Sequence, residues 1–331
     1  VNGYHIQTIT CGSDEVTLGQ NSDVVYTYTL NSVTSDTTIC ATFELNNYTI
    51  TATADANSNI TPAGVTNVRY GDTLAITMTS NVPCYYITNY EVDGVATTVN
   101  DSVAQTYTFE FITADHTIDV YSAIYTYNLA STVNDATMGS VTSDDSVDCG
   151  TDYNYLITAN YGYHLEAIYL DGVLDQTFPY SETLYTTAFT RTVTNVMADH
   201  QLDAVFAINT YTIDVTVGAN GSVEPGDDVT LNHGDNATFV VTPDPCYYIS
   251  EVLVDGTDVL GADSTTFTYT FTNVVAPHTF EANFAIYEYE MTETHTGMGT
   301  VSTATVNCGD DYTYMIDADT ANGYHIESVT F

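Results

Sequence analysis

The stretch GYHLEAIYLDG, residues 162–172, contains the pattern that decides the fold of this chain. After the letters Gly-Tyr-His, apolar residues stand at Leu165, Ile168 and Leu170. Ile168 and Leu170, two residues apart, fall on one face of a β-strand. The closing pair Asp171-Gly172 is a strong signal for a two-residue β-hairpin. The stretch therefore predicts a strand that is followed at once by an antiparallel return.

The same phrase recurs along the whole chain, in three spellings. It reads GYHI at Gly3–Ile6, CYYI at Cys84–Ile87, GYHL at Gly162–Leu165, CYYI at Cys246–Ile249 and GYHI at Gly323–Ile326. The first tyrosines of these phrases, at positions 4, 85, 163, 247 and 324, are 81, 78, 84 and 77 residues apart. A fixed period of this length predicts tandem structural repeats.

The recurrence divides the chain into five predicted segments. Residues 46–124, 125–208 and 209–286 form complete repeats, residues 1–45 the C-terminal half of one, and residues 287–331 the N-terminal half of another. We interpret the chain as a window onto a longer array. Thr, Tyr, Val and Ile dominate each segment and favour strands. About seven strands in about 80 residues are the proportions of an Ig-like β-sandwich. We therefore expect an all-β, head-to-tail array of Ig-like β-sandwich repeats.

The connections between repeats are predicted to restrict bending. With an odd number of antiparallel strands, the chain enters a repeat at one pole and leaves at the other. The joints AIYTYN (123–128) and AINTYT (207–212) contain no Gly, Ser or Pro linker. Short joints of this kind predict a semi-rigid, extended array.

The composition excludes several classes of function. The chain has 43 acidic side chains against two basic ones, and its formal net charge is −41. Binding to nucleic acid or to anionic lipid needs Lys and Arg for the phosphates. We therefore expect neither nucleic acid nor an anionic lipid surface as a partner. The 28 Tyr and 12 Phe argue against disorder, because that apolar surface must be buried. No apolar run approaches the roughly 20 residues of a membrane helix, so no membrane insertion is expected in this window.

The cysteines distinguish two alternating types of repeat. Type one has a Gly in the phrase and a Cys at the start of the preceding strand, as at Cys149 and Cys308. Type two has its Cys in the phrase, at Cys84 and Cys246, and another residue at the strand start. If repeats stack pole to pole, these thiols face each other across the joints. We therefore predict the disulfides Cys84–Cys149 and Cys246–Cys308.

The remaining two cysteines, Cys11 and Cys40, are then assigned to each other by elimination, although Cys11 takes an inward position and Cys40 an outward one. The alternative for all six is a buried free thiol. Their even number and their repeated placement favour disulfides. Disulfides in turn predict an oxidising, extracellular location.

Metal sites receive weak support from the sequence. The histidines at repeat positions have no CxxC or HExxH spacing, so we interpret them as turn and loop-packing residues. The acidic turn residues Asp227, Asp228, Asp310 and Asp311 are candidates for calcium binding, with solvated turn acids as the alternative. None matches the EF-hand spacing. No other cofactor is expected.

Neither catalysis nor sugar recognition is indicated by a specific motif. The chain has no nucleophile elbow, P-loop or dinucleotide fingerprint, and repeated positions argue against a single active site, so we expect no enzyme. Tyr alternates with Thr in YTYT (26–29), TYTF (106–109) and TFTYTF (266–271). Such tyrosines could stack on sugars, but cross-strand Tyr–Thr pairs that cover the sheet are the simpler interpretation.

Sequons for N-linked glycan form a further set of candidate modification sites. They occur at Asn47, Asn59, Asn100, Asn220 and Asn236.

The phrases NCGDDYTY, GYHIESV, VDG, TFTNV and ADHTI resemble tandem repeats of large secreted proteins of the Bacteroidota. The chain is more distantly similar to bacterial Ig-like and divergent internalin-B-type repeats. The resemblance implies a stalk or spacer in a surface protein. It also implies O-glycosylation at Asp-Ser/Thr followed by a small or apolar residue. The matching positions are Thr37, Thr73, Ser102, Ser146, Ser264 and Thr320.

Together these features predict a structural extracellular protein, a semi-rigid rod or filament of disulfide-stapled repeats that forms a cell-surface fibre. The alternatives are the stalk of an adhesin and a carbohydrate-binding repeat module. The expected partners are neighbouring repeats of the same chain, with self-assembly into fibres.

Overall fold

The computed structural model describes residues 2–18, 25–80, 83–142, 145–262 and 265–330, with the side chains of residues 100–102 outside the description. The chain forms two compact units. The first comprises residues 1–130, 144–154 and 192–200, and the second comprises residues 131–143, 155–191 and 201–331. In the described part, regular structure consists of 31 strands and one short 3₁₀ helix, so the prediction of an all-β chain is confirmed.

The predicted repeat 46–124 lies in the first unit and is a two-layer β-sandwich. Its eight strands are β4 (Asn47–Ala54), β5 (Ser58–Thr61), β6 (Gly64–Arg69), β7 (Leu74–Ser80), β8 (Tyr85–Val92), β9 (Val95–Ser102), β10 (Ala104–Phe109) and β11 (His116–Ile124). One sheet has the order β6-β4-β11-β8-β9 and the other β10-β7-β5. Ile50 and Ile118 from the first sheet and Ile76 and Met78 from the second are fully buried in one core. Each such side chain stabilises the fold by about 1.5–3 kcal/mol.

The predicted repeat 209–286 lies in the second unit and has the same architecture. Its strands are β20 (Thr210–Val217), β21 (Gly221–Glu224), β22 (Val229–Asn232), β23 (Ala237–Pro243), β24 (Tyr247–Val254), β25 (Thr257–Asp258), β26 (Phe267–Phe271) and β27 (His278–Ile286). The sheets have the orders β22-β20-β27-β24-β25 and β21-β23-β26. Phe239 from the smaller sheet stacks on Phe280 from the larger one, with ring centroids 4.8 Å apart. This aromatic contact joins the two layers of the core.

The predicted repeat 125–208 contributes strands to both units. They are β12 (Thr126–Val133), β13 (Gly139–Val141), β14 (Asp145–Asp148), β15 (Tyr153–Ala159), β16 (Tyr163–Leu170), β17 (Val173–Thr177), β18 (Ala188–Val193) and β19 (His200–Ile208). In the first unit β12 pairs with β14. In the second unit β13 pairs with β15, and β16 pairs with both β17 and β19.

The two partial repeats supply the remaining elements. Residues 1–45 form the sheet β2-β1-β3, from β1 (Tyr4–Cys11), β2 (Asp14–Thr17) and β3 (Ile39–Leu45). Residues 287–331 form β28 (Glu288–Met291), β29 (Gly299–Val301), β30 (Ala304–Asn307), β31 (Ile316–Ala318) and the 3₁₀ helix Thr320–Asn322. Here β28 pairs with β30 and β29 pairs with β31. Among the described residues, no helix has the length and apolar character required to cross a membrane.

The strand count and the connection between repeats differ from the prediction. Each complete sandwich has eight strands because the segment after its first strand forms two short strands in different sheets. β21 pairs with β23, whereas β22 pairs with β20. The argument from an odd strand number is therefore wrong. The chain still enters and leaves a sandwich at opposite ends, because the first and last strands run parallel, β4 beside β11 and β20 beside β27.

The predicted Asp-Gly hairpins are confirmed at all three positions. Asp93-Gly94, Asp171-Gly172 and Asp255-Gly256 have φ near +52° at Asp and +75° at Gly. Two successive residues with positive φ make the turn that matches the twist of paired strands. The flanking residues pair directly, for example Val92 with Val95. These hairpins set the register of the strand pairs that follow the phrases beginning at Cys84, Gly162 and Cys246.

Candidate functional site: the junctions between repeats

All four junctions between predicted repeats share the same two backbone hydrogen bonds. We name three positions: the loop residue (Gly3, Cys84, Gly162 or Cys246), the junction residue (Asn46, Tyr125, Asn209 or Tyr287) and the strand-start residue (Tyr70, Cys149, His233 or Cys308). The last name keeps the predicted position, which is wrong in detail, because each of these residues directly follows the end of a short strand, β6, β14, β22 or β30. The junction N–H donates to the loop carbonyl, and the junction carbonyl accepts from the strand-start N–H. All eight bonds measure 2.8–2.9 Å. This short backbone ladder leaves no free linker at a junction.

Two junctions, which we call sulfur junctions, are also covalent. Cys84 is bonded to Cys149 with an S–S distance of 1.96 Å, and Cys246 is bonded to Cys308 at 2.03 Å. These are the two pairs that the alternation of repeat types predicts. Each bridge lies inside one compact unit and connects a loop residue to the strand-start residue of the next repeat.

An aromatic pair accompanies each disulfide. Tyr86 packs on the junction residue Tyr125 with ring centroids 4.7 Å apart. Tyr248 packs on Tyr287 at 5.0 Å in the same way. Each pair joins the residue two positions after the loop Cys to the junction residue. The rings cover the apolar side of the junction, which adds to the covalent link.

The other two junctions, which we call histidine junctions, are held without a covalent bond. His5 Nδ1 lies 3.1 Å from Asn46 Oδ1, and His164 Nδ1 lies 2.8 Å from Asn209 Oδ1. His5, His164 and Asn209 are buried. An amide oxygen only accepts, so the imidazole Nδ1 must donate the proton in each pair. A buried amide satisfied in this way specifies its partner, because leaving it unpaired costs free energy.

The loop glycine of a histidine junction leaves room for a ring. A Cβ built on Gly3 would lie 2.2 Å from Cδ1 of Tyr70, and one on Gly162 would lie 2.5 Å from Cδ2 of His233. Both glycines also have positive φ, +82° and +86°. Side-chain substitution is therefore opposed by the backbone and by the facing ring at once.

An additional loop braces the histidine junction of the second unit. Residues 178–187 connect β17 to β18, and Tyr180 in this loop stacks on His164 with centroids 4.1 Å apart. The Tyr180 hydroxyl donates to the Thr210 carbonyl and accepts from the Thr210 N–H, both at 2.6 Å. Nearby, burial and a hydrogen bond with Tyr185 raise the pKa of Tyr211 to about 12. The phenol therefore stays neutral at physiological pH.

The pairing of Cys11 with Cys40 is wrong. Across β1 and β3, Cys11 lies opposite Ile39 and Cys40 lies opposite Thr10. Neighbouring positions along paired strands project to opposite faces of a sheet. Cys11 is accordingly buried and Cys40 exposed, and both are free thiols.

A second set of repeated histidines pins the Asp-Gly hairpins of type-two repeats. His116 Nδ1 lies 2.7 Å from Asp93 Oδ2, and His278 Nδ1 lies 2.7 Å from Asp255 Oδ2. Burial acts to raise the pKa of Asp93 and Asp255, but hydrogen bonds from a backbone N–H and the imidazole outweigh it. Both carboxyl pKa values are therefore lowered. These histidines link a hairpin to the last strand of its repeat.

The calcium candidates do not come together in a cluster. Asp227, Asp228, Asp310 and Asp311 are exposed, and Asp228 Oδ1 accepts the Val215 N–H at 2.9 Å. Within the described ranges, no three or more His, Cys, Asp and Glu side chains are grouped so as to hold a metal ion. Calcium binding stays a prediction.

Most candidate glycosylation sites are exposed. Asn59, Asn220, Asn236, Thr37, Thr73, Ser146 and Thr320 are exposed, and Asn47 is half-buried. Ser264 lies outside the described residues, as do the side chains of Asn100 and Ser102. Modification at all these positions stays a prediction.

The exposed row of tyrosines that sugar binding would need is not found in the described strands that contain the Tyr-Thr pattern. Tyr107 packs on Phe109 at 4.9 Å, and Tyr269 packs on Phe271 at the same distance. Both tyrosines are half-buried against the sandwich cores. Threonines occupy the outer face instead, as in the Thr238–Thr270 hydroxyl pair at 2.9 Å. Tyr107 and Tyr269 therefore offer no platform for sugars.

The sequence interpretation missed the junction residues and the role of Tyr180. The sequence did contain a signal for the junction residues. The residue two positions after the loop residue and the junction residue of the next repeat vary in step. Where the first of these positions is His, the junction residue is Asn (Asn46 or Asn209). Where it is Tyr, the junction residue is Tyr (Tyr125 or Tyr287). No local signal points to Tyr180, since its partners are distant in sequence.

Comparison with known proteins gives one family match. Residues 211–287 match the model of the family described as Divergent InlB B-repeat domain. That range overlaps the predicted repeat 209–286. No curated protein matches the sequence.

Among solved structures, the Bacillus anthracis TIE protein is similar, with 8% identity and a TM-score of 0.29. The match covers 75% of this chain and 53% of that one, so the chain spans about half of the TIE chain. The I9–I11 tandem of titin is 10% identical with a TM-score of 0.15, covering 71% of this chain and 96% of that one. The titin fragment I67–I69 is 8% identical with a TM-score of 0.12, covering 71% and 95%.

Proposed function

We propose that this chain is a load-bearing part of an extracellular protein, a semi-rigid rod or filament of Ig-like repeats that forms a cell-surface fibre. The single observation that carries the proposal is the disulfide that crosses every second junction, at Cys84–Cys149 and Cys246–Cys308. A bridge between neighbouring repeats resists separation of the repeats in a way that a bridge within one core does not.

The bridges change the path that a pulling force takes through the chain. A force along the backbone reaches Cys84, crosses the S–S bond and continues from Cys149, so it bypasses the residues between them. The second bridge does the same between Cys246 and Cys308. The bypassed loops have sequence separations of 65 and 62 residues. The strands within them are thereby shielded from load, which is useful in a tether and has no evident use in an enzyme.

The surroundings and partners follow from the same chemistry. Two disulfides support an oxidising, extracellular setting. The net charge of −41 keeps neighbouring rods apart unless divalent cations bridge them. Neighbouring repeats of the same chain are the first partners, with self-assembly into fibres as the second step.

The test is single-molecule extension of the protein held at its two ends, with and without reductant. Each reduced bridge should release roughly 220 Å of additional chain, since an extended residue spans about 3.3–3.6 Å. A Cys84→Ser/Cys149→Ser variant is the control, because it should show the gain from only the second bridge. Equal extended lengths with and without reductant would overturn the proposed load path.

Electron microscopy of the native material distinguishes the fibre from an adhesin stalk. A fibre should show a regular spacing of one or two repeats along long filaments. Short projections that end in a globular head would favour the stalk.

A further inference from the structure

Four positions at each junction carry one of two sets of residues, and each of the four junctions has a complete set of one kind. They are the loop residue, the residue two positions after it, the junction residue and the strand-start residue. The histidine junctions have Gly, His, Asn and a ring: Gly3, His5, Asn46, Tyr70 and Gly162, His164, Asn209, His233. The sulfur junctions have Cys, Tyr, Tyr and Cys: Cys84, Tyr86, Tyr125, Cys149 and Cys246, Tyr248, Tyr287, Cys308.

The four positions form two facing pairs. The loop residue faces the strand-start residue, as a disulfide in one kind of junction and as Gly beneath a ring in the other. The second residue faces the junction residue, as His164 to Asn209 or as Tyr248 on Tyr287. Each pair comprises one residue from each of the two repeats that meet, so its fit depends on the types of both repeats.

Three of the four mixed pairs are unfavourable for a physical reason. A loop Cys opposite a ring places atoms where the Cβ of Gly162 would already lie 2.5 Å from His233. A loop Gly opposite a Cys leaves a gap and an unbonded thiol. A Tyr ring opposite Asn209 removes the imidazole donor from a buried amide. The pairs therefore reject the wrong neighbour as well as fit the right one.

The two sets share the same two backbone hydrogen bonds, so the side chains decide which neighbour fits. In the second unit the loop residue has positive φ in both kinds of junction, +86° at Gly162 and +71° at Cys246. The hydrogen bonds through Asn209 and Tyr287 have equal lengths within 0.1 Å.

We propose that these four positions are a pairing code by which each pole of a repeat accepts only a repeat of the opposite type. The loop pole of a type-one repeat takes a repeat that begins with Asn and has a ring at its strand start. The loop pole of a type-two repeat takes one with Tyr and Cys. The partner is thus another copy of the opposite repeat type. The code holds whether or not the array bears load, so it goes beyond the proposed function.

The first test converts one junction in the full chain. Cys308→His alone creates a mismatch with Cys246, whereas Cys246→Gly/Tyr248→His/Tyr287→Asn/Cys308→His rebuilds a histidine junction. Hydrogen exchange of the amides of residues 287 and 308 reports the two backbone bonds of that junction. We expect about tenfold faster exchange in the mismatch and protection restored to within a few-fold in the converted chain.

The converted chain lacks the bridge as well, so its recovery cannot come from sulfur. Protected amides in β24 and β27 verify that the repeat itself stays folded. Equal protection in wild type and mismatch, or no recovery on conversion, would overturn the code.

The second test is the reverse exchange at the other junction of the second unit. Gly162→Cys/His233→Cys should form a third disulfide, seen as a linked peptide without reductant, while the bridges at Cys84 and Cys246 persist. Free thiols at positions 162 and 233 in a chain that retains both native bridges would contradict the facing geometry. Gly162→Cys alone is the control and should stay unlinked.

Discussion

At the scale of single residues, the loop position decides the chemistry of a junction. Cys246 and Gly162 both have positive φ, but one forms a disulfide and the other makes room for His233. Positive φ at a non-glycine residue is unfavourable. The cysteine retains it because the bridge and two backbone hydrogen bonds hold that loop.

Gly162→Ala tests this residue-scale account against Gly172→Ala in the same repeat. Both glycines have positive φ, but nothing lies within 4 Å of a Cβ on Gly172, whereas His233 lies 2.5 Å from one on Gly162. We expect Gly172→Ala to lower the free energy of unfolding by about 1–2 kcal/mol through backbone strain. Gly162→Ala should lower it by about 1–3 kcal/mol more through overpacking. Urea denaturation measures both, and equal losses would show that the ring does not enforce glycine.

Tyr180→Phe tests the brace on the histidine junction. The hydroxyl makes two hydrogen bonds with Thr210, and the ring stacks on His164. Removal of the hydroxyl leaves the stack but should destabilise the junction by about 1–2 kcal/mol. Hydrogen exchange of the Thr210 amide should accelerate, with the exposed Tyr121→Phe as the control. Unchanged exchange at Thr210 would refute the brace.

At the scale of elements, each complete sandwich depends on strands that are distant in sequence. The parallel pairing of β4 with β11 brings both ends of the repeat into one sheet, and β20 does the same with β27. The Asp-Gly hairpin then connects to the last strand through His116 or His278. In this way one side-chain hydrogen bond ties a local turn to a non-local strand.

The Asp–His pair makes an element-scale prediction for acid. The pKa values of Asp93 and Asp255 are lowered in the folded state. Their stabilising contribution is therefore fully present above the unfolded pKa of about 3.9 and is lost as the pH falls through the lower folded pKa. The effect should be small, because the two side chains are 46% and 49% exposed.

Thermal denaturation at several pH values, for wild type and Asp93→Asn/Asp255→Asn, provides the measurement. The variant should be less stable at neutral pH and should approach wild type in acid. A constant difference across the pH range would contradict the linkage.

At the scale of the whole molecule, charge dominates behaviour in solution. A net charge of −41 with two basic side chains leaves almost no opportunity for salt bridges. Repulsion between carboxylates opposes the compact state, and the opposition weakens as salt screens it. The two disulfides and the buried cores must offset this repulsion.

Salt dependence gives the corresponding prediction. Raising NaCl from about 10 mM to about 500 mM shortens the screening length several-fold, so the unfolding temperature should rise by several degrees. Sucrose at equal osmolality is the control for effects unrelated to charge. An unfolding temperature that is unchanged or lowered by NaCl would show that carboxylate repulsion does not limit stability.

The sequence by itself determined the repeat period, the all-β class, the alternation of two repeat types and the facing pairs Cys84–Cys149 and Cys246–Cys308. These features are visible because the period and the Asp-Gly turns are local and recur in register. Only the tertiary structure decided the parallel pairing of first and last strands, the opposite faces of Cys11 and Cys40, and the contacts of His164 with Asn209 and Tyr180. The reason is that sheet order and strand register arise from hydrogen bonds between distant segments, which leave no periodic trace in a single stretch of chain.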